Sequence, residues 1–424
     1  MMIDHRAFVS IIITACLSLP VAAIEYSAVL SSNAEFSTNI SLSADDTNSD
    51  THQTISLSGS AIEERKTFQT NASFTLEKDH YYGNAYEGET TLSTGLGLLN
   101  FDVVEEFLSW QTSFTRSQTL NDPLEEVRSD NLGYRDTLSS GPSILYVMSP
   151  TMMLVGGSSY IIAENSQRGT ADTKRAELSV VVTHQISSIT SMNWTGAYEV
   201  MLDADGGEKY DRIQLGVGVS RQFVDGVASI SVGRTHLVPE ANAETESNFV
   251  NLSFVREKLW LHDVTINFFE DISDSSIGFA VNPGAPNQFV VQGNDIVRRR
   301  SAGLSIDREL GVYGYSLALA WDYEDYSVQN SDEKVLNGLF ALEKEVFPGF
   351  STGASLQLVK TKYLGREELG EEELLTYQIN GNYQFSPDIS AESYIQYETR
   401  DNRRDVYRDY EEFSVGFVVR ISLF

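Results

Sequence analysis

Apolar and polar residues alternate along this chain in one long stretch after another, and that periodicity limits the folds open to it. The last stretch is the clearest. Phe413, Val415, Phe417, Val419, Ile421 and Leu423 hold one parity, and Ser414, Gly416, Val418, Arg420 and Ser422 hold the other. Successive side chains leave a strand on opposite faces, so this is a strand with one greasy face and one mostly polar face. The pattern recurs. Phe68, Thr70, Ala72, Phe74 and Leu76 oppose Gln69, Asn71, Ser73, Thr75 and Glu77. Ile213, Leu215, Val217 and Val219 oppose Arg212, Gln214, Gly216, Gly218 and Ser220. Tyr313 to Glu324 and Leu375 to Phe385 alternate in the same way.

A soluble sandwich also alternates, with its apolar face turned inward. Three features favour a membrane barrel instead. The strands exceed the soluble norm of about 5–6 residues, aromatics gather near strand ends, and the polar face is rich in Gln, Asn, Ser and Gly like a wet lumen. The connections add a test that a sandwich has no reason to pass. Tight turns at Ser149-Pro150-Thr151, Ser187-Ser188, Val224-Asp225-Gly226, Leu310-Gly311, Phe347-Pro348-Gly349 and Ser386-Pro387-Asp388 alternate with longer polar segments. Among the longer segments are Ser117 to Arg135, Ile272 to Val297 and Asp401 to Asp409. Short periplasmic turns and long external loops have this rhythm in outer-membrane barrels. It predicts a single all-β transmembrane antiparallel barrel of about 20 strands, with 18 as the alternative count, and both termini periplasmic. The first strand is expected near Ala34 to Ser43, and another over Thr91 to Phe101.

At the start, Arg6 precedes an apolar core from Ala7 to Leu19 and the small residues Val21, Ala22 and Ala23. This reads as a signal peptide over residues 1–23 with the barrel occupying 24–424. The one cysteine, Cys16, falls inside that segment, so the mature chain is expected to lack thiol chemistry. With strands beginning so soon after the expected cleavage point, neither an energy-coupled importer nor an autotransporter is expected. The final strand should pair with the first to abolish the sheet edge, with Phe413, Phe417 and Phe424 on the closing strand. Phe424 shares its parity with Ser422 and Arg420, one residue out of step with the apolar set.

The formal net charge of −30, from 60 acidic and 30 basic residues, argues against nucleic acid as a partner. The partners expected of such a barrel are outer-membrane lipid, lipopolysaccharide and the barrel assembly machinery.

One stretch goes beyond the general pattern. Arg128-Ser129-Asp130-Asn131, then Gly141-Pro142-Ser143-Ile144-Leu145, the Ser149-Pro150 turn and the strand Met152 to Ala163 precede an acidic loop. This order of elements, from Phe36 to about Leu202, resembles the outer-membrane β-barrel family found beside exopolysaccharide and exosortase (PEP-CTERM) sorting systems. The resemblance implies an outer-membrane place, a porin-type barrel and polysaccharide export components as partners. It supplies no catalytic residues.

Two long loops could narrow a channel. In the first, Asp122, Glu125, Glu126 and Arg128 would set size and charge selectivity if the loop folds inward; an ordinary external loop is the competing reading. After the second, Arg298, Arg299 and Arg300 form the densest basic run. They could meet an anionic sugar or lipid phosphates, or simply balance neighbouring acids. Glu367, Glu368, Glu371, Glu372 and Glu373 match no calcium-loop spacing, and no metal or cofactor is expected. Catalysis finds little support. His262 and Asp263 are strand neighbours pointing to opposite faces, and His184 beside Ser187 and Ser188 lies on no motif. A passive pore or secretion channel for hydrophilic solutes therefore comes first, with exopolysaccharide export as the service that the resemblance implies. A non-conducting surface barrel that binds through its loops comes second, and an outer-membrane hydrolase third.

Overall fold

The computed structural model describes residues 24–423, apart from 43–46, 84–85, 87, 89, 121–131, 167–171, 205–208, 241–243, 260–261, 275–295, 327–331, 365–369 and 404–408. The N-terminal segment read as a signal peptide, and Phe424, lie outside the described residues.

Twenty strands follow one another in chain order. The first seven are β1 (Ile24–Ser37), β2 (Asp50–Arg65), β3 (Phe68–Tyr81), β4 (Thr90–Val104), β5 (Leu108–Leu120), β6 (Leu132–Ser149) and β7 (Met152–Asn165). Next come β8 (Thr173–Ser187), β9 (Thr190–Ala204), β10 (Tyr210–Phe223), β11 (Gly226–Pro239), β12 (Thr245–Leu259), β13 (His262–Asp274) and β14 (Ile296–Leu310). The last are β15 (Tyr313–Tyr326), β16 (Glu333–Phe347), β17 (Phe350–Tyr363), β18 (Glu371–Ser386), β19 (Ile389–Asn402) and β20 (Tyr410–Ser422). Each strand pairs antiparallel with its sequence neighbours, and β1 pairs with β20 from Val29↔Ser422 to Ser37↔Ser414, closing the sheet. Closure removes the last edge, the only way a sheet satisfies its backbone in lipid.

Short turns and longer connections alternate as the sequence predicts. Lys66-Thr67 joins β2 to β3 and Pro150-Thr151 joins β6 to β7, both at the end carrying the start of β1, while β1 ends and β2 begins, and β13 ends and β14 begins, at the other end. The first strand is the main correction. It runs from Ile24 to Ser37 rather than over Ala34 to Ser43. Its outward set, Tyr26, Ala28, Leu30, Ser32, Ala34 and Phe36, mixes small and polar residues with apolar ones, so its alternation is faint in the sequence.

The outward parity carries the exposed apolar residues, with Leu215, Ile379 and Phe385 each 62% exposed. No soluble protein leaves such a continuous band uncovered. Aromatics border it at the turn end, where Phe347 stacks on Phe350 at 5.1 Å and Tyr383 meets Phe385 edge-on at 4.6 Å. The opposite parity faces the lumen. There the ring of Phe249 lies across Gly233 and Gly216, register neighbours on β11 and β10, where any Cβ would overlap it.

Candidate functional site

Alternation in register places every second side chain of each strand on the lumen wall, so the site is a surface drawn from all strands. Near the loop end the wall is laced by charge. Arg175 Nη1 of β8 donates to Glu199 Oε1 of β9 at 3.2 Å, and Tyr210 Oη of β10 donates to the same oxygen at 2.9 Å. Arg212 of β10 lies 3.5 Å from Glu199 and donates through Nη2 to Asp271 Oδ2 of β13 at 2.8 Å. Asp271 also accepts from Gln214 at 2.9 Å and Thr235 at 2.8 Å. A carboxylate on β13 thus reaches three strands along the concave wall, and both ends of each ion pair are nearly buried. Similar pairs continue round the wall. Arg299 of β14 meets Asp322 at 2.8 Å and Glu324 at 3.6 Å, and Arg400 of β19 meets Glu372 at 2.9 Å.

Closer to the turn end the balance changes. A recess of about 680 Å³ in the wall of β12 to β18 is lined by Asp263, Asp307, Glu309 and Glu343, with Ser316, Ser355, Gln378, Asn380 and Asn382. Asp263 and Asp307 are direct register partners, a like-charge pairing that a sheet tolerates poorly unless water or counter-ions screen it. Lys258 and Arg308 also line it; Arg308 belongs to the outward parity of β14, and the Lys258 backbone N–H donates to Asp263 Oδ1 at 2.9 Å. A smaller niche of about 270 Å³ between β5 and β8 is walled by Gln111, Ser113, Ser139, Ser143, Ser159 and Ser179 around Glu177. Such a surface offers hydroxyls, amides and carboxylates to a hydrated solute, and negative potential to a cation.

No family model matches the chain, and no curated protein does. Solved structures do. The copper transporter OprC is 9% identical and matches over 96% of this chain and 82% of that one, with a TM-score of 0.57. Pseudomonas aeruginosa OccK2 in complex with glucuronate (9% identity, 94% and 99% covered) has a TM-score of 0.41. OmpTdeltaL8, a loop deletion mutant of an outer membrane protein of Vibrio cholerae, gives 10% identity, 94% and 99% coverage and a TM-score of 0.39. With a closed sheet, an apolar outer band and a polar lumen, the fold decides the membrane. This chain is an outer-membrane β-barrel of 20 strands.

In this barrel the residues singled out from sequence separate. Asp122, Glu125, Glu126 and Arg128 lie outside the described residues. Arg299 faces the lumen, whereas Arg298 and Arg300 point outward and share Glu270 Oε1 at 3.0 Å each. Phe413 and Phe417 point outward from β20, at 41% and 52% exposure. Glu372 is a lumen residue, while Glu371 meets Lys360 at 2.8 Å and Arg403 at 3.3 Å on the outer side; Glu367 and Glu368 lie outside the described residues. His262 bonds Tyr315 Oη at 3.0 Å on the outer face, and Asp263 turns into the lumen.

The sequence reading overlooked two groupings. Asp271, Arg212 and Glu199 were visible only as lone polar residues at strand ends. His52 was the second: its Nε2 lies 3.0 Å from Asp79 Oδ1, and Thr54 Oγ1 donates to that oxygen at 2.7 Å. A catalytic relay splits the two imidazole nitrogens between nucleophile and acid. Here one nitrogen serves both neighbours, so Thr54 is held by the carboxylate and not activated by the imidazole.

Proposed function

We propose that this barrel is a passive channel that lets hydrophilic solutes cross the outer membrane and favours cations over anions. One observation carries the reading. Near the loop end the lumen arginines Arg175, Arg212, Arg299 and Arg400 are held by carboxylates, whereas in the turn-end recess four carboxylates, Asp263, Asp307, Glu309 and Glu343, outnumber the two basic residues that line it, Lys258 and Arg308. The excess negative potential then falls on the path of a solute, where water-poor walls focus it. OprC is titled a copper transporter, and copper is not carried over. Among the described residues no group of three or more His, Cys, Asp or Glu side chains is arranged to hold a metal ion.

A link to exopolysaccharide export is supported by the family resemblance of the stretch from Arg128 to Ala163 and of the order of elements from Phe36 to about Leu202. The hydroxyl and amide lining of the wall suits a sugar chain as well as a small solute. Single-channel recording of the refolded protein in a planar bilayer tests the main reading. Stable conductance steps with a cation-selective reversal potential are expected. Silence from protein shown to be folded would overturn it in favour of a non-conducting surface barrel.

A further inference from the structure

Four adjacent strands of the outer wall carry a row of side chains in direct register. Arg300 of β14 stands opposite Tyr323 of β15, Tyr323 opposite Lys334 of β16, and Lys334 opposite Lys362 of β17. The Arg300 guanidinium lies 5.9 Å from the centre of the Tyr323 ring, and Lys334 Nζ approaches that ring to 5.3 Å. One ring thus serves two cations. Arg298 flanks the row above and Lys360 below.

The level of the row follows from strand geometry. Lys334 and Lys344 are ten residues apart on β16 and both point outward, with Leu336, Phe340 and Leu342 exposed between them. Ten residues at about 3.3 Å each give ~33 Å of strand, or ~25 Å along the axis at a tilt of about 40°. That is the height of the apolar band of an outer-membrane barrel. Lys344, whose Nζ lies 5.1 Å from the Tyr313 ring, then marks the periplasmic boundary. The row Arg300–Tyr323–Lys334–Lys362 marks the outer headgroup level.

Elsewhere on the outer rim, several cations have a carboxylate of their own. Lys174 pairs with Asp203 at 2.8 Å, Arg116 with Asp136 at 2.5 Å, and Arg234 with Glu246. In the row the cations do not. Arg298 and Arg300 divide a single carboxylate, and Glu371 and Glu373 are taken by Lys360 at 2.8 and 3.5 Å. Asp325 stands opposite Arg298, one row further out. Among the described residues neither Lys334 nor Lys362 has a carboxylate within 4.0 Å. In a chain of net charge −30, five adjoining outward cations, Arg298, Arg300, Lys334, Lys360 and Lys362, outnumber the three carboxylates, Glu270, Glu371 and Glu373, that lie within 4.0 Å of them among the described residues.

We infer that this row is a docking site for a phosphorylated lipid headgroup of the outer leaflet, with the acyl chains lying on the apolar wall below. Arg300 presents a planar fork to phosphate oxygens, and Lys334 and Lys362 add point charges one strand apart. The site lies on the outside of the barrel and is independent of what the lumen conducts.

The test uses the full-length refolded barrel in a non-ionic detergent, titrated with diphosphoryl lipid A, with the same glycolipid stripped of phosphate, and with inorganic phosphate. Bound lipid is counted by native mass spectrometry. Diphosphoryl lipid A should bind at least tenfold more tightly than the dephosphorylated form. Lys334→Gln with Lys362→Gln should remove most of that difference, and Arg300→Gln the rest. Exposed Lys→Gln changes leave the wall intact, and a heat-modifiable gel shift confirms that each variant is folded. Equal binding by the double variant, or by the dephosphorylated lipid, would overturn the proposal. So would displacement of the lipid by millimolar inorganic phosphate, which would make the row a free-phosphate site.

Discussion

At the scale of single residues, the lumen wall separates polar groups that hold the barrel from those left free to meet a solute. Asp271 belongs to the first kind. It is 8% exposed and accepts bonds from Arg212, Gln214 and Thr235. Removing it leaves a nearly buried guanidinium with only Glu199 at 3.5 Å. Asp271→Ala should therefore lower stability by about 3 kcal/mol, the usual loss when one partner of a buried pair is deleted. Arg234→Ala, which breaks the exposed pair with Glu246, should cost about 1 kcal/mol or less. Reversible urea unfolding in detergent or lipid, followed by tryptophan fluorescence, measures both; equal losses would show that the lumen network is not what ties β10 to β13. The sequence could not reveal this network. Alternation tells which face a residue takes, but Asp271 and Arg212 are 59 residues apart, and their meeting depends on curvature and stagger that periodicity does not encode.

At the scale of elements, the seam between first and last strands carries its own fastening. Tyr394 of β19 stands opposite Gly416 of β20, and its hydroxyl reaches past β20 to donate to Glu35 Oε2 of β1 at 2.5 Å. A Cβ at position 416 would overlap the Tyr394 ring, so glycine there is what lets one side chain strap three strands. Ser37 adds a hydroxyl to Glu412 across the same seam at 2.5 Å. Gly416→Leu should push Tyr394 off the wall and reduce the yield of heat-modifiable, folded barrel severalfold. Tyr394→Phe keeps the ring and loses the hydroxyl's bonds, chiefly that to Glu35, about 1.5–3 kcal/mol for a partner that is charged. Comparing the refolding yields of the two variants separates steric opening of the seam from loss of the hydroxyl's bonds, and a Gly416→Leu protein that refolds normally would remove the strap from the account. The sequence made the closing strand plain through Phe413 and Phe417, yet the fastening lies on the other face, where Gly416 looked like a gap in a polar series. Short turns were legible where Pro, Gly or a Ser pair marked them, as at Ser149-Pro150, Phe347-Pro348-Gly349 and Ser187-Ser188, and silent at Lys66-Thr67, which carries none of these.

For the whole molecule, strand count and the alternation of turns and loops were legible because lipid leaves so few ways to satisfy a backbone, whereas lumen charge had to wait for the register. Composition alone says only that the chain is acidic, with a net charge of −30. Register divides that charge among loops, outer rim and lumen. It places Asp263, Asp307, Glu309 and Glu343 together at the turn end, two of them directly opposed. Like charges in that arrangement repel, and the two basic residues that line the recess, Lys258 and Arg308, are too few to balance the four carboxylates. On the proposed channel reading, mobile cations drawn from solution supply the screening charge and are the ions conducted. Replacing Asp263 and Asp307 by Asn and Glu309 and Glu343 by Gln should lower the cation-to-anion permeability ratio severalfold in the planar bilayer while leaving a conducting pore. The same change should not weaken the fold, because it relieves repulsion and breaks none of the ion pairs of the loop-end network, and the urea midpoint should stay level or rise. If the ratio is unchanged while conductance persists, selectivity is set elsewhere on the path. The loop residues Asp122, Glu125 and Glu126 would be the next to neutralise, because they belong to the one other acidic group that sequence places where a lumen can narrow.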